Sequence, residues 1–135
     1  MSERSFFDTN VLVYAFGDAD PRKDRAIGLL SGGGIVSVQV LNEFVDVARR
    51  RLRRDWRSIG KALDIIGALV EPPVALTVDL HRDAVDLSER RGFRIYDSLI
   101  LVAAKRAGCR LIYSEDMQDG QTVDGVLIRN PFAEA

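Results

Sequence analysis

Apolar positions along the chain follow two kinds of pattern. Short, β-rich apolar runs occur as SFF at 5–7, IV at 35–36, VALTV at 74–78, RLIY at 110–113 and VLI at 126–128. Between them, apolar residues recur at i, i+3, i+4 and i+7, a spacing that puts them on one face of a helix. Leu41, Phe44, Val45, Ala48 and Leu52 form one such stripe. Ile59, Ala62, Leu63, Ile66, Leu69 and Val70 form a second, and Tyr96, Leu99, Ile100, Ala103, Ala104 and Ala107 a third. Boundary residues agree with these spans. Asp20-Pro21 reads as an N-cap and first helical residue. Gly92 and Gly108 stand where C-terminal glycine caps belong. Pro72-Pro73 ends the helix before it, and the glycines at 32–34 read as a turn into the second strand. Strands alternating with helices predict an α/β fold whose parallel sheet is covered on both faces.

Composition narrows the class without naming a function. The 135 residues predict a single domain over 1–135, and a chain of this length buries roughly two-thirds of its unfolded surface. No apolar run reaches the roughly 18 residues of a membrane span. The first residues lack an apolar signal core, and Cys109 is the only cysteine, so an internal disulfide is impossible and the expected location is the reducing cytoplasm. A net charge of -1 offers no global attraction to nucleic acid. Neither the G-x-G-x-x-G nor the P-loop spacing occurs, which removes support for dinucleotide and nucleoside-triphosphate sites.

The acids carry the candidate chemistry. Ligands of a parallel α/β sheet bind beyond the carboxyl ends of its strands. Asp8 directly follows the first strand. Glu43 lies in the early turns of the helix after the second. Asp116 follows the strand ending at Tyr113. Asp97 opens a helix that returns to start that strand, so it belongs on the same edge. Taken singly, Asp8 and Asp97 serve equally well as helix N-caps, Glu43 as an exposed helix position, and Asp116 and Asp119 as ordinary loop acids. Taken together, four carboxylates on one edge demand compensation, because two unit charges about 4 Å apart repel by roughly 4 kcal/mol at an effective dielectric of 20. Oxygen-only ligands suit Mg²⁺ or Mn²⁺, and such an ion can activate water and offset charge on a phosphodiester.

The segments FFDTNVLVY around Asp8, SVQVLNEF around Glu43, YDSLILVAA around Asp97 and LIYSEDMQDG around Asp116 resemble those of PIN-domain ribonucleases, most of all the toxins of VapBC toxin–antitoxin pairs. The likeness covers nearly the whole length, with the four acids in family order. It implies a small three-layer α/β/α sandwich around a mostly parallel sheet of four to five strands, and Mg²⁺- or Mn²⁺-dependent hydrolysis of RNA that leaves 5′-phosphate and 3′-hydroxyl ends. By the same resemblance Asp8 and Asp97 are principal metal ligands. Glu43 and Asp116 bind metal directly or through water and position the attacking water. Thr9, Asn10 and Ser114 support the site, and Asp119 matches a position acidic in only part of the family. A homodimer and a cognate antitoxin covering the acidic groove are implied as well.

The basic stretch RRRLRRDWR at 49–57 has two readings: a solvated helix face, or phosphate contacts, with Arg49, Arg50, Arg53 and Arg94 as RNA-contact candidates. Trp56 reads first as packing or an interface anchor and second as a base-stacking platform. His81 reads as a surface helix residue. Cys109 has no accompanying histidine and reads as a small apolar residue rather than a nucleophile. Tyr14, Phe16, Phe44, Phe93 and Phe132 read as core or dimer contacts. The competing function is a non-catalytic RNA- or protein-binding module, against which the complete acid set argues. Phosphotransfer of the haloacid-dehalogenase kind wants a second Asp two residues after the first, where this chain has Asn10.

Overall fold

The computed structural model describes residues 4–133. Their elements run β1 (Ser5–Phe7), α1 (Thr9–Phe16), α2 (Lys23–Ser31), α3 (Val38–Arg50), α4 (Trp56–Leu69), α5 (Val78–Arg91), α6 (Ile95–Arg106), β2 (Leu111–Tyr113), β3 (Thr122–Val123) and β4 (Val126–Arg129). The architecture is α/β, with six helices and a mostly parallel four-stranded sheet, the class the sequence predicts. Strand order is β1-β2-β4-β3. β1 runs parallel to β2, and β2 to β4. β3 and β4 form an antiparallel hairpin, whose two-residue turn is Asp124-Gly125, both at positive φ as such a turn requires.

Burial explains the strands. Phe6, Phe7, Ile112 and Ile128 are all essentially inaccessible, as expected for a sheet with helices packed against it. α6 lies against β2 and β4 and packs on α5; α1 packs on α2 and α3, and α4 on α2 and α3. Each amphipathic stripe supplies its buried face: Val40, Phe44 and Ala48 from α3, and Ile59, Ala62 and Ile66 from α4. Gly92 and Gly108 close α5 and α6 at positive φ, as anticipated. No helix among the described residues is long and apolar enough to cross a membrane.

Three local expectations differ from the structure. Residues 35–36 and 74–78 form no full strands. They contribute only the isolated parallel bridges Phe6–Ile35 and Ser37–Val74. The paired prolines just before Val74 cannot donate to a ladder, and Thr77 is taken as the N-cap of α5, its hydroxyl accepting from Leu80 N. Asp20-Pro21 sits in a turn ahead of α2: the Asp20 carboxylate accepts from Arg22 N and its carbonyl from Lys23 N, so the helix starts later.

Gly34 marks the closest backbone approach. Ile35 N donates to Ser5 O and Phe7 N to Ile35 O, both at 2.9 Å, which draws this segment against β1. A Cβ at Gly34 would stand 2.6 Å from the Phe7 ring and 2.8 Å from Ser5 O. Phe7 is buried and has nowhere to go. Gly34→Ala is therefore expected to lower stability by about 1–3 kcal/mol, read as an earlier urea midpoint at unchanged slope; an unchanged midpoint would contradict this packing.

Candidate active site

Strand register builds the floor of the site. Phe7 pairs with Tyr113 across β1 and β2, so the next residues, Asp8 and Ser114, stand side by side at the carboxyl ends of the two strands. Asp8 N donates to Tyr113 O at 2.9 Å, and Ser114 N to Arg129 O at 3.0 Å. Asp8 is only 4 % exposed and Ser114 is fully buried. Ser114 Oγ donates to Asp8 Oδ2 at 2.7 Å, and Thr9 N donates to Asp8 Oδ1 at 2.6 Å. Asp8 thus both caps α1 and offers a buried carboxylate at the sheet edge.

The other acids arrive on separate elements. Ser37 caps α3 by accepting from Val40 N, and the helix carries Glu43 to the site, where Thr9 Oγ1 donates to Glu43 Oε2 at 3.4 Å. Asp97 lies in the first turn of α6, where the helix dipole favours a negative charge. The N-cap of that helix is Arg94, so Asp97 is not a cap. Asp116 sits on the loop after β2. Ser114 Oγ accepts from Asp116 N and Met117 N at 3.2 Å. Asn10 Nδ2 donates to Asp116 Oδ2, and Asn10 Oδ1 accepts from Glu115 N.

All four acids line one cleft of about 600 Å³, together with Thr9, Asn10, Arg51, Arg94 and Tyr96. Among the described residues, none of the four carboxylates forms an ion pair. The electrostatic consequence is a raised proton affinity at Asp8, Glu43 and Asp97. Burial pushes Asp8 up to about 6, against the hydrogen bonds from Ser114 and Thr9 N, with repulsion from Asp116 and Asp97 adding to the rise. Burial and then the Asp8 charge push Glu43 up to about 7. Asp97 is also raised by burial, with Arg94 opposing and Asp116 reinforcing the shift. Among the described residues, no trio of Asp, Glu, His or Cys stands arranged to enclose an ion unaided. A hard oxygen-seeking cation that keeps several waters and takes one or two carboxylates fits such an open set; a fully enclosed ion does not.

Four expected residues lie elsewhere. Arg49, Arg50 and Arg53 border a separate concavity beside Trp56. Asp119 also stands outside the cleft, where its Oδ1 accepts from Asn130 N at 2.8 Å and ties the loop to the chain after β4. Tyr14, read from the sequence as a core or dimer contact, and Arg22 and Glu115, given no role there, stand beside the site. Tyr14 OH donates to Glu115 Oε1 at 2.6 Å, and Arg22 pairs with Glu115 Oε2 at 3.1 Å while lying over the Tyr14 ring. Burial and the Glu115 carboxylate push the Tyr14 phenol up to about 12, so it remains a donor at neutral pH. This group braces the residue before Asp116. An acid next to Asp116 was visible in the sequence, but nothing there pairs it with an arginine 93 positions away.

The family model for the PIN domain matches residues 5–119. No curated protein matches the sequence. Among solved structures, the Mycobacterium tuberculosis VapC20 toxin, a Sarcin-Ricin loop cleaving toxin, superposes with a TM-score of 0.70 at 22% identity over 83% of this chain and 89% of that one. A toxin-antitoxin complex from Klebsiella pneumoniae gives 0.71 at 16% identity, covering 95% and 98%. VapBC2 from Rickettsia felis, bound to a DNA fragment from its promoter, gives 0.66 at 18%, covering 93% and 97%. At these identities the likeness concerns the fold.

The raised carboxyls fix a pH dependence. Asp8 and Glu43 bind protons more tightly folded than unfolded, from starting values of 3.8 and 4.5. Their contribution to stability is therefore complete below those unfolded values and is lost as pH climbs through about 6 and about 7. In chelator, the chain should melt on the order of 5 °C lower at about pH 7.5 than at about pH 5. Asp8→Asn, which can still cap α1, should flatten that difference. A melting temperature that is flat or rises over this interval in the unsubstituted chain would contradict the electrostatics.

Proposed function

This chain belongs to the PIN domain family, and on that premise we propose that it is a divalent-metal-dependent endoribonuclease, the toxin of a toxin–antitoxin pair. The observation that carries the reading is the cleft itself: four carboxylates from four segments, none in an ion pair among the described residues, around a nearly inaccessible Asp8. Asp8 and Asp97, with Asp116 acting through water, are the residues that would hold Mg²⁺ or Mn²⁺. That ion would supply positive charge at the scissile phosphate and at the water that attacks it.

The chain's own groups account for the remaining work. Glu43, carried by α3 to the cleft and held by Thr9, is placed to orient and deprotonate the attacking water. Ser114 and Thr9 N hold Asp8 in one orientation. Asn10 does the same for Asp116, and Thr9 for Glu43. Arg94 and Arg51, on the cleft wall, supply cations to the substrate's phosphates.

The toxin–antitoxin complexes of similar fold support an antitoxin as protein partner; a homodimer is part of the proposal and rests on the family resemblance. An RNA substrate and a single buried cysteine fit action in the cytoplasm.

Incubating the purified chain with structured RNAs tests the reading. Cleavage should require Mg²⁺ or Mn²⁺, stop in EDTA, and leave 5′-phosphate ends. Asp8→Asn and Asp97→Asn should abolish it with folding intact. Glu43→Gln should slow it by a hundred-fold or more, on the order expected for loss of a general base. Cleavage that persists in EDTA or in Asp97→Asn would overturn the proposal. RNA binding without any cleavage would favour a non-catalytic module.

A further inference from the structure

The acidic cleft does not end at its own walls. Glu43, Val47, Arg94 and Tyr96 line both the cleft and a shallower neighbouring depression. Asn42 and Asp46 line that depression and also the concavity that holds Arg49, Arg50, Arg53 and Trp56. The three hollows therefore adjoin along α3 through shared wall residues, a trough interrupted by those side chains that is acidic at one end and basic at the other. From Glu43 to Arg50 the helix rises about 10 Å.

The basic end is unusual in two ways. Trp56, the first residue of α4, is 63 % exposed, although tryptophan is highly buried on average. Of its two expected roles, packing within this chain is not what the structure shows, and an interface anchor is left open. The Arg49 guanidinium lies 5.0 Å from the indole centroid. Among the described residues Arg49 and Arg53 form no ion pair with any carboxylate, and Arg50 has only an exposed contact at 3.4 Å with Asp46. At the junction with the cleft, Tyr96 is also half-exposed.

Cations spaced along a groove with open aromatic faces are the features that bind single-stranded nucleic acid: the cations track phosphates, and bases stack on the rings. A protein interface core is depleted in charge, whereas here three arginines surround one tryptophan. A duplex hides its base faces, so only an unpaired base can reach the indole. We propose that an unpaired stretch of the RNA substrate leaves the acidic cleft past Tyr96 and follows α3, with Arg49, Arg50 and Arg53 on its phosphates and one base stacked on Trp56. The proposal rests on the reading of the cleft as the site of RNA cleavage and adds how the substrate is held away from it.

Trp56 is the only tryptophan, so fluorescence excited where indole absorbs and phenol does not reports on this end alone. The full chain in EDTA, which prevents turnover, is titrated with an unstructured oligoribonucleotide of about ten nucleotides and with a blunt duplex of equal length. Quenching is expected with the single strand and little with the duplex. By anisotropy of labelled RNA, Trp56→Ala should weaken binding about ten-fold, and Trp56→Phe should restore most of it. Arg53→Ala should reduce the slope of log affinity against log salt by about 0.7. Saturable RNA binding with unchanged emission and unchanged affinity in Trp56→Ala would overturn the trough, as would emission that responds to protein concentration but not to RNA, which would make Trp56 a contact between copies. Failure of the nuclease reading would look different: quenching as described, with no cleavage when Mn²⁺ is restored.

Discussion

The structure turns on a carboxylate placed where a carboxylate is expensive. Asp8 ends a strand of inaccessible phenylalanines and is itself almost inaccessible. Its two oxygens are met by one backbone N–H and one serine hydroxyl, with no cation. Two neutral donors offset only part of the desolvation, and its raised proton affinity is the measure of what remains. The other acids of the cleft aggravate this condition. Glu43, Asp97 and Asp116 add negative charge around the same point. A fold under selection for stability alone would have placed an apolar residue or an arginine here, so the arrangement makes physical sense as a seat for positive charge that comes from outside the chain.

The scaffold turns that local cost into geometry. Parallel pairing of β1 with β2 sets Asp8 against Ser114 without any choice of rotamer. The same serine hydroxyl gathers the backbone of the loop bearing Asp116. Helix starts supply the rest: α3 and α6 begin at this edge and bring in Glu43 and Asp97. Behind the loop, Arg22, Tyr14 and Glu115 form a brace in which opposite charges do pair. The contrast within a few residues is informative. Glu115 has its arginine, while its neighbour Asp116 has only the amide of Asn10.

Much of this was legible in the chain because it follows from periodicity and topology. The α3, α4 and α6 stripes each became a helix with most of the predicted face inward, Leu69 and Tyr96 being the exposed exceptions, and the acids could be assigned to one edge from the alternation of strands and helices alone. What could not be read depends on contacts distant in sequence. VALTV has strand composition, yet Thr77 is used as a cap and the preceding prolines leave only a bridge. Asp20-Pro21 has the form of a helix start, yet its carboxylate closes a turn first. The Arg22–Glu115 pair joins positions that no local pattern connects. Arg49, Arg50 and Arg53 could be recognised as a basic run, but not as the far end of a trough that starts at the acids.

The central claim is that these carboxylates share one hard divalent ion. Crystals soaked in Mn²⁺ and measured for anomalous scattering test it directly. The account predicts an anomalous peak between Asp8 and Asp97, within coordination distance of at least one carboxylate oxygen of each and completed largely by water. A cleft without a peak at saturating Mn²⁺, or a peak only at acids elsewhere on the surface, would contradict it.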